Sequence, residues 1–340
     1  MITSRYHQPY QESNWSPAWL PTLQETFMRI GILYSSRQRH NESAGDPPAQ
    51  LHIQRTLDDL KYDTVLIDGD SHQLIQRLSM DALSVLVIAA QGQFFEDGQL
   101  QGLCDWLQLP YVGSGRCAST ICYHPALLDL VHYGCHATYS EHMLLKPQDD
   151  TPDYQQLTEY LRSKTLDLVP ISSPDPLGNK TNIKNARQFH RYLSQHLDGQ
   201  RAVMVQPHRT YLNQYQVVVH DLRLDPTAMT LYNASSTLRE SVTPLTLANG
   251  LSQAELSLIE QTVVQYYRQL LLEGAALFHV ALSPHHRCQV LQIRTLPSLH
   301  PDGVLAASFA EEDTSYSQTL MSLINRAMHH PMPVVNADPM

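Results

Sequence analysis

The chain has 340 residues, 42% of them apolar and only 16% charged, against about 25% charged in an ordinary domain. Its 23 Lys and Arg stand against 33 Asp and Glu, a net charge of -10 that offers no basic face for nucleic acid. Scarce glycine (14) beside abundant histidine (18) disfavours a rich phosphate site, which needs Gly turns with Lys or Arg. Even the longest purely apolar runs, such as Val85–Ala90, are too short to span a bilayer.

Residues 1–27 stand apart as an extension. Trp15, Pro17, Trp19 and Pro21 follow no period, and the segment reads as a docking arm or a loose tail. No basic region followed by an apolar run is present, so no secretory signal is expected. The five cysteines, Cys104, Cys117, Cys122, Cys135 and Cys288, form no CxxC pair. They read as reduced thiols of a cytoplasmic protein.

From Met28 strands and helices alternate. Met28–Tyr34, Asp63–Asp68 and Ser84–Ala90 have the length and apolar character of strands. Helical spacing joins Leu51, Ile53, Leu57 and Leu60, and again Leu74, Ile75 and Leu78. A strand apolar on both faces, as at 84–90, suits a parallel sheet covered by helices on both sides. The first domain, residues 28–138, therefore reads as a doubly wound α/β unit. Further on, a helix is expected at Tyr154–Arg162, a loop at Pro170–Asn182, a helix at Ile183–Leu197, and strands at Ala202–Val205 and Tyr215–Val219. Ser252-Gln-Ala-Glu255 is a capping box. It opens a helix with Leu256, Ile259, Val263, Tyr266 and Leu270 on one face. Leu277–Leu282 and Cys288–Ile293 form a hairpin, and Tyr316–Met328 a last helix before the tail.

The most specific segment lies at 90–115. Glu96-Asp97-Gly98-Gln-Leu-Gln-Gly102 is followed by Leu109-Pro-Tyr-Val-Gly113-Ser114-Gly115. In this order and spacing they resemble the D-alanine–D-alanine ligases, a family of ATP-grasp enzymes, and the resemblance extends over Met28–Met328. It implies an α/β fold: a doubly wound N-terminal domain, then a two-lobed ATP-grasp-like α+β body. Its central lobe spans 139–212 and its C-terminal lobe 213–330, with a tail at 331–340. It also implies ATP-driven joining of two D-alanines, with two Mg²⁺ ions, basic residues and a glycine-rich loop around the transferring phosphoryl group.

The residues that this chemistry needs are replaced. The family's Gly-Arg-x-Asp strand has Leu277 at its Arg and His279 at its metal-binding Asp. Its Glu-x-Asn and Thr-x-Pro-Gly patterns have Gln292, Arg294 and Ser298. A neutral amide and a guanidinium do not replace the oxygen donors that Mg²⁺ wants. Pro125 stands where Met-Asp-Lys supplies a phosphate lysine. Between Leu168 and Asn179 the only glycine is Gly178, and no lysine precedes it. Gln214 stands for a nucleotide-side Glu, Thr237-Leu238 for the mobile loop's Lys-Tyr, and Gln91 for the His of a His-Gly turn. Glu96, Asp97, Gly98, Gly113, Ser114 and Gly115 are read as kept for turns and helix starts rather than for a ligand.

No catalytic residue, metal ligand or cofactor is therefore expected, with ATP and Mg²⁺ both lost. The resemblance then implies a non-catalytic homologue with a protein partner or regulatory role in a peptidoglycan context, and a homodimer through the N-terminal domain. A divergent active ligase and an amino-acid sensor are the alternatives. His279 is expected in the cleft, with His285 and His286 in the far turn, so a shared metal is not expected. His329-His330 reads as surface. Glu42 reads as a solvated loop carboxylate or a substrate-amine contact, and Cys104 as packing.

Overall fold

The computed structural model describes residues 28–37, 47–134, 142–147, 151–171, 180–197, 202–208, 211, 213–222, 225–233, 250–283 and 287–329. The N-terminal arm, the tail, Glu42, Cys135, Gly178, Thr237, Leu238, His285, His286 and His330 lie outside them.

β1 (Arg29–Tyr34), β2 (Asp63–Asp68) and β3 (Val85–Ile88) form a parallel sheet in the order β2-β1-β3. Helices α1 (Ala49–Asp59), α2 (Leu74–Met80) and α3 (Gln99–Leu107) connect or follow them. Alternation sends Ile30, Ile32, Val85 and Val87 to one face with Ile53 and Leu57 of α1. Leu33, Ile67, Leu86 and Ile88 go to the other, with Leu74 and Leu78 of α2 and Leu100 and Cys104 of α3. Every β3 residue is buried, as a doubly covered parallel strand requires. Two further helices, α4 (Arg116–Tyr123) and α5 (Pro125–Gly134), lead out of this unit.

The central unit contains β4 (Met143–Leu145), α6 (Tyr154–Tyr160), β5 (Leu166–Pro170), β6 (Thr181–Ile183), α7 (Ala186–His196) and β7 (Val203–Pro207). Its antiparallel sheet runs β4-β7-β5-β6. Leu166, Leu168, Val203 and Val205 pack on Leu157 of α6 and on Phe189, Tyr192 and Leu193 of α7. Two expectations are corrected here. Pro170 ends a strand rather than opening a loop, and Thr181–Ile183 is an edge strand, so the following helix begins only at Ala186. Asn185 sets that boundary: its side chain accepts a hydrogen bond from the Gln188 N–H, which commits the chain to helix one residue later.

The last unit contains β8 (Asn213–His220), β9 (Thr227–Asn233), α8 (Gln253–Gln269), β10 (Ala275–Leu282), β11 (Cys288–Arg294), α9 (Val304–Ala310) and α10 (Tyr316–Met328). The antiparallel order is β11-β10-β8-β9. The capping box at Ser252 and Glu255 is formed, and Ser315 with Gln318 makes a second at α10. Phe278, Val280, Val217 and Val219 face Ile259, Val263, Tyr266 and Tyr267 of α8. Leu277 and Val218 face the other way, towards α9 and α10. Leu320, Leu323 and Ile324 of α10 also pack with α1 on the first sheet. One apolar core thus runs from the N-terminal sheet into the C-terminal one. Among the described residues no helix is long and apolar enough to cross a membrane.

Candidate functional site

The replaced positions come together on β10 and β11. The antiparallel register sets Leu277 opposite Arg294 and His279 opposite Gln292. A register shift follows between His279 and Val280, a local irregularity of the kind often found beside functional sites. Four residues singled out one by one in the sequence are therefore two cross-strand pairs, and Leu277 and His279 sit on the face away from α8.

Each pair carries its own physics. Leu277 is fully buried in the apolar core. His279 lies in the expected face but is only 1% exposed. Burial first, and the positive charge of Arg294 second, hold its imidazole down to about 3, so it is neutral at ordinary pH. Its Nε2 lies 3.5 Å from the amide nitrogen of Gln216 on β8. His279 Nδ1 and Gln292 Oε1 are buried without a hydrogen-bond partner.

Arg294 turns to Glu96. Its Nη2 donates to Glu96 Oε2 at 2.9 Å and its Nε to Oε1 at 3.3 Å. This is a bidentate pair, 14% and 6% exposed on its side chains. The Glu96 carboxylate also accepts the Gly92 N–H. Glu96, from the most specific segment of the sequence, is thus tied to Arg294, 198 residues further along the chain. The donor set does not fit Mg²⁺, which wants hard anionic oxygens. It consists of a neutral imidazole, an amide and a cation already bound to the nearby carboxylate. Among the described residues no group of three or more His, Cys, Asp and Glu is placed to hold a metal.

The other motif residues make turns and close contacts. Asp97 accepts from the Phe94 and Gln99 N–H groups at 2.9 and 3.0 Å, while Gly98 adopts φ +92° just before α3. Thr120 donates to the Asp97 carbonyl at 2.9 Å. A Cβ on Gly98 would strike Thr120 and the Arg116 carbonyl, and one on Gly113 (φ +123°) would strike Leu296. Ser114 Oγ accepts from the Glu273 N–H at 3.0 Å and donates to its carbonyl at 3.2 Å. It pins the turn before α4 to the turn before β10. Gly115 has nothing within 4 Å of the place of a Cβ and an extended φ of -64°. Gly98→Ala and Gly113→Ala are each expected to cost about 1–3 kcal/mol, and Gly115→Ala close to nothing. Urea midpoints of the three variants check this ranking.

The remaining positions are dispersed. Gln91 donates to the Leu296 carbonyl at 3.4 Å, and Ser298 Oγ accepts from the His300 N–H at 3.3 Å. Pro125 is the first residue of α5, where the missing N–H costs no helical bond. Gln214 is half-buried near the start of β8, opposite Ala281. His329 is exposed, and its Nδ1 lies 2.7 Å from the Asn325 carbonyl. Cys104 is a packing residue whose thiol burial pushes up to about 12.

One cluster was missed. Asp167, on β5 and 1% exposed, meets Lys180 Nζ at 2.9 Å, His208 Nδ1 at 2.9 Å and Asn182 Nδ2 at 3.0 Å. It faces away from α6 and α7, because Leu166 and Leu168 on either side face those helices. Only the sheet register joins these residues. The one signal in the sequence was an acid in an otherwise apolar strand.

No family model matches the chain. A D-alanine–D-alanine ligase of Magnetococcus marinus is 33% identical over 99 residues, 29% of this chain and 31% of that ligase. Ligases of Synechococcus sp. and Thermotoga petrophila match at 25% and 22% identity over 81% and 83% of this chain, and over 86% and 91% of their own length. Among solved structures, the Bacillus anthracis ligase complexed with ATP has a TM-score of 0.72 at 17% identity, covering 88% of this chain and 97% of its own. D-alanyl-alanine synthetase A of Vibrio cholerae has a TM-score of 0.74 at 13% identity, covering 89% and 99%. Near-full-length matches at low identity, on the fold described above, make this chain similar to the D-alanine–D-alanine ligases along most of its length and support its assignment as a divergent relative with their ATP-grasp fold.

Proposed function

We propose that this chain is a non-catalytic member of its family and acts by binding. The observation that carries the reading is the Arg294–Glu96 pair. A guanidinium fills a position where the resemblance implies a metal ligand, and its charge is already satisfied by a buried carboxylate. Phosphoryl transfer needs cations that remain available to the developing charge. Beside this pair, Leu277 and neutral His279 offer neither a guanidinium nor a carboxylate.

The role that follows is contact with a protein partner or regulation, in the cell-envelope setting that the family implies, with self-association through the N-terminal unit. The test is phosphate release from ATP with Mg²⁺ and D-alanine, alongside a calorimetric titration of Mg²⁺–ATP. No release above the buffer rate and no Mg²⁺-dependent heat are expected. Turnover that requires D-alanine would establish a divergent active ligase instead. Binding of D-alanine without turnover would establish an amino-acid sensor.

A further inference from the structure

Between α4, α5, the end of α8 and α10 opens a cavity of about 640 Å³, within the range that takes a small organic molecule. Its wall is hydrocarbon: Ala118 and Ile121 of α4, Val131 of α5, Leu270 and Leu271 where α8 ends, and Leu323 of α10. Gly115 also lines it, and nothing lies within 4 Å of where its Cβ would stand.

The polar groups at the edge of the cavity are engaged with their own neighbours. Asp105 accepts the Tyr111 hydroxyl at 3.2 Å and lies 3.8 Å from the Arg116 guanidinium. Arg326 holds Asp221 through Nη2 at 2.8 Å and Nε at 3.3 Å. Burial pushes the carboxyl of Glu273 up to about 7, and Arg326 pulls it back towards the charged form. A charged ligand would have to give up its water against hydrocarbon or displace one of these pairs, and either is costly. An uncharged ligand meets neither cost.

Leu271 points the same way. It takes the first position beyond the α8 cap, with φ +53°. That left-handed position favours glycine, so a leucine there carries strain. Its side chain is also 76% exposed, the most exposed large apolar side chain among the described residues. Both costs fall on one residue of the cavity wall. An apolar occupant lying against Leu271 removes the second of them.

We propose that this cavity binds an uncharged, largely apolar small molecule, which covers the Leu271 side chain at the rim. The site uses none of the replaced positions on β10 and β11, so it stands or falls apart from the non-catalytic reading.

The test uses the full chain with 4-phenylbutan-1-ol as probe and 4-phenylbutanoate and 4-phenylbutylamine as its anionic and cationic matches, read by ligand-detected NMR. The alcohol should bind about tenfold more tightly than either ion. Cys117 lines the cavity and is exposed, so bound alcohol should slow its alkylation by iodoacetamide, read by peptide mass spectrometry without any substitution. Gly115→Trp should abolish binding by filling the space, from a position where a Cβ meets nothing and φ is -64°. Leu271→Gly should weaken binding about fivefold. It should leave the urea midpoint of the free chain unchanged or higher, since glycine suits the left-handed position. Equal or tighter binding of either ion, no binding of the alcohol, or unchanged Cys117 alkylation at saturating alcohol would each overturn the proposal. So would undiminished binding by Gly115→Trp, or a Leu271→Gly chain that is less stable yet binds as before.

Discussion

Arg294→Ala is expected to destabilise the fold by about 3–5 kcal/mol, the usual cost of removing one partner of a buried ion pair. The loss would far exceed that of an exposed arginine, because the Glu96 carboxylate, 5% exposed, would stay buried without the guanidinium. The pair also spans 198 residues. It ties the turn before α3 to the end of β11, so both units should loosen together. Glu96→Gln/Arg294→Met is expected to lose less than Arg294→Ala, since replacing both charges by neutral groups of similar volume removes the desolvation cost with the attraction. Urea unfolding of Glu96→Gln, Arg294→Met and the double, read as a thermodynamic cycle, measures the coupling. Strictly additive losses would show that the pair contributes nothing as a pair.

Stability should fall as the pH drops below about 6.5, and His279 should cause much of the fall. Its imidazole is held at about 3 in the fold, against roughly 6.5 when unfolded. Between these values the unfolded chain binds a proton that the folded chain refuses, so acid favours unfolding. The contribution is complete above the unfolded value and is lost as the pH falls through the window towards 3. The limiting slope is about 1.4 kcal/mol per pH unit. Between pH 7 and pH 5 His279 should therefore account for about 2 kcal/mol. In His279→Gln that component should vanish, leaving a shallower dependence from groups such as Asp129, whose carboxyl two histidines help to hold below the usual range. Identical slopes for the parent and the variant would rule this origin out.

Periodic, local features were legible in the sequence. β1, β2, β3, α8 and α10 follow from apolar spacing and capping residues, since a helix start needs only side chains within a few positions of it. Short edge elements were not. β6 has three residues and β9 seven, and each is an edge strand held by cross-strand pairing with the strand before it, β5 or β8, rather than by a local apolar period. α9 is a short apolar run whose burial is set by α10 and the C-terminal sheet. At the site, the motif residues and the replaced positions were legible as residue types. The buried Asp167 cluster was not, because Lys180, Asn182 and His208 meet Asp167 only through the register of three strands.

The sequence by itself carried the resemblance to the ligase family, the strand-and-helix order of the N-terminal unit, and the expectation that Leu277, His279, Gln292 and Arg294 stand where that family's chemistry uses other residues. Residue type alone left Arg294 as a guanidinium that does not replace an oxygen donor and Glu96 as a residue kept for a turn or helix start. The tertiary structure decided that they are partners and that His279 is buried and neutral. The reason is that charge interactions and desolvation depend on separation and burial in space. Neither can be read from positions along the chain.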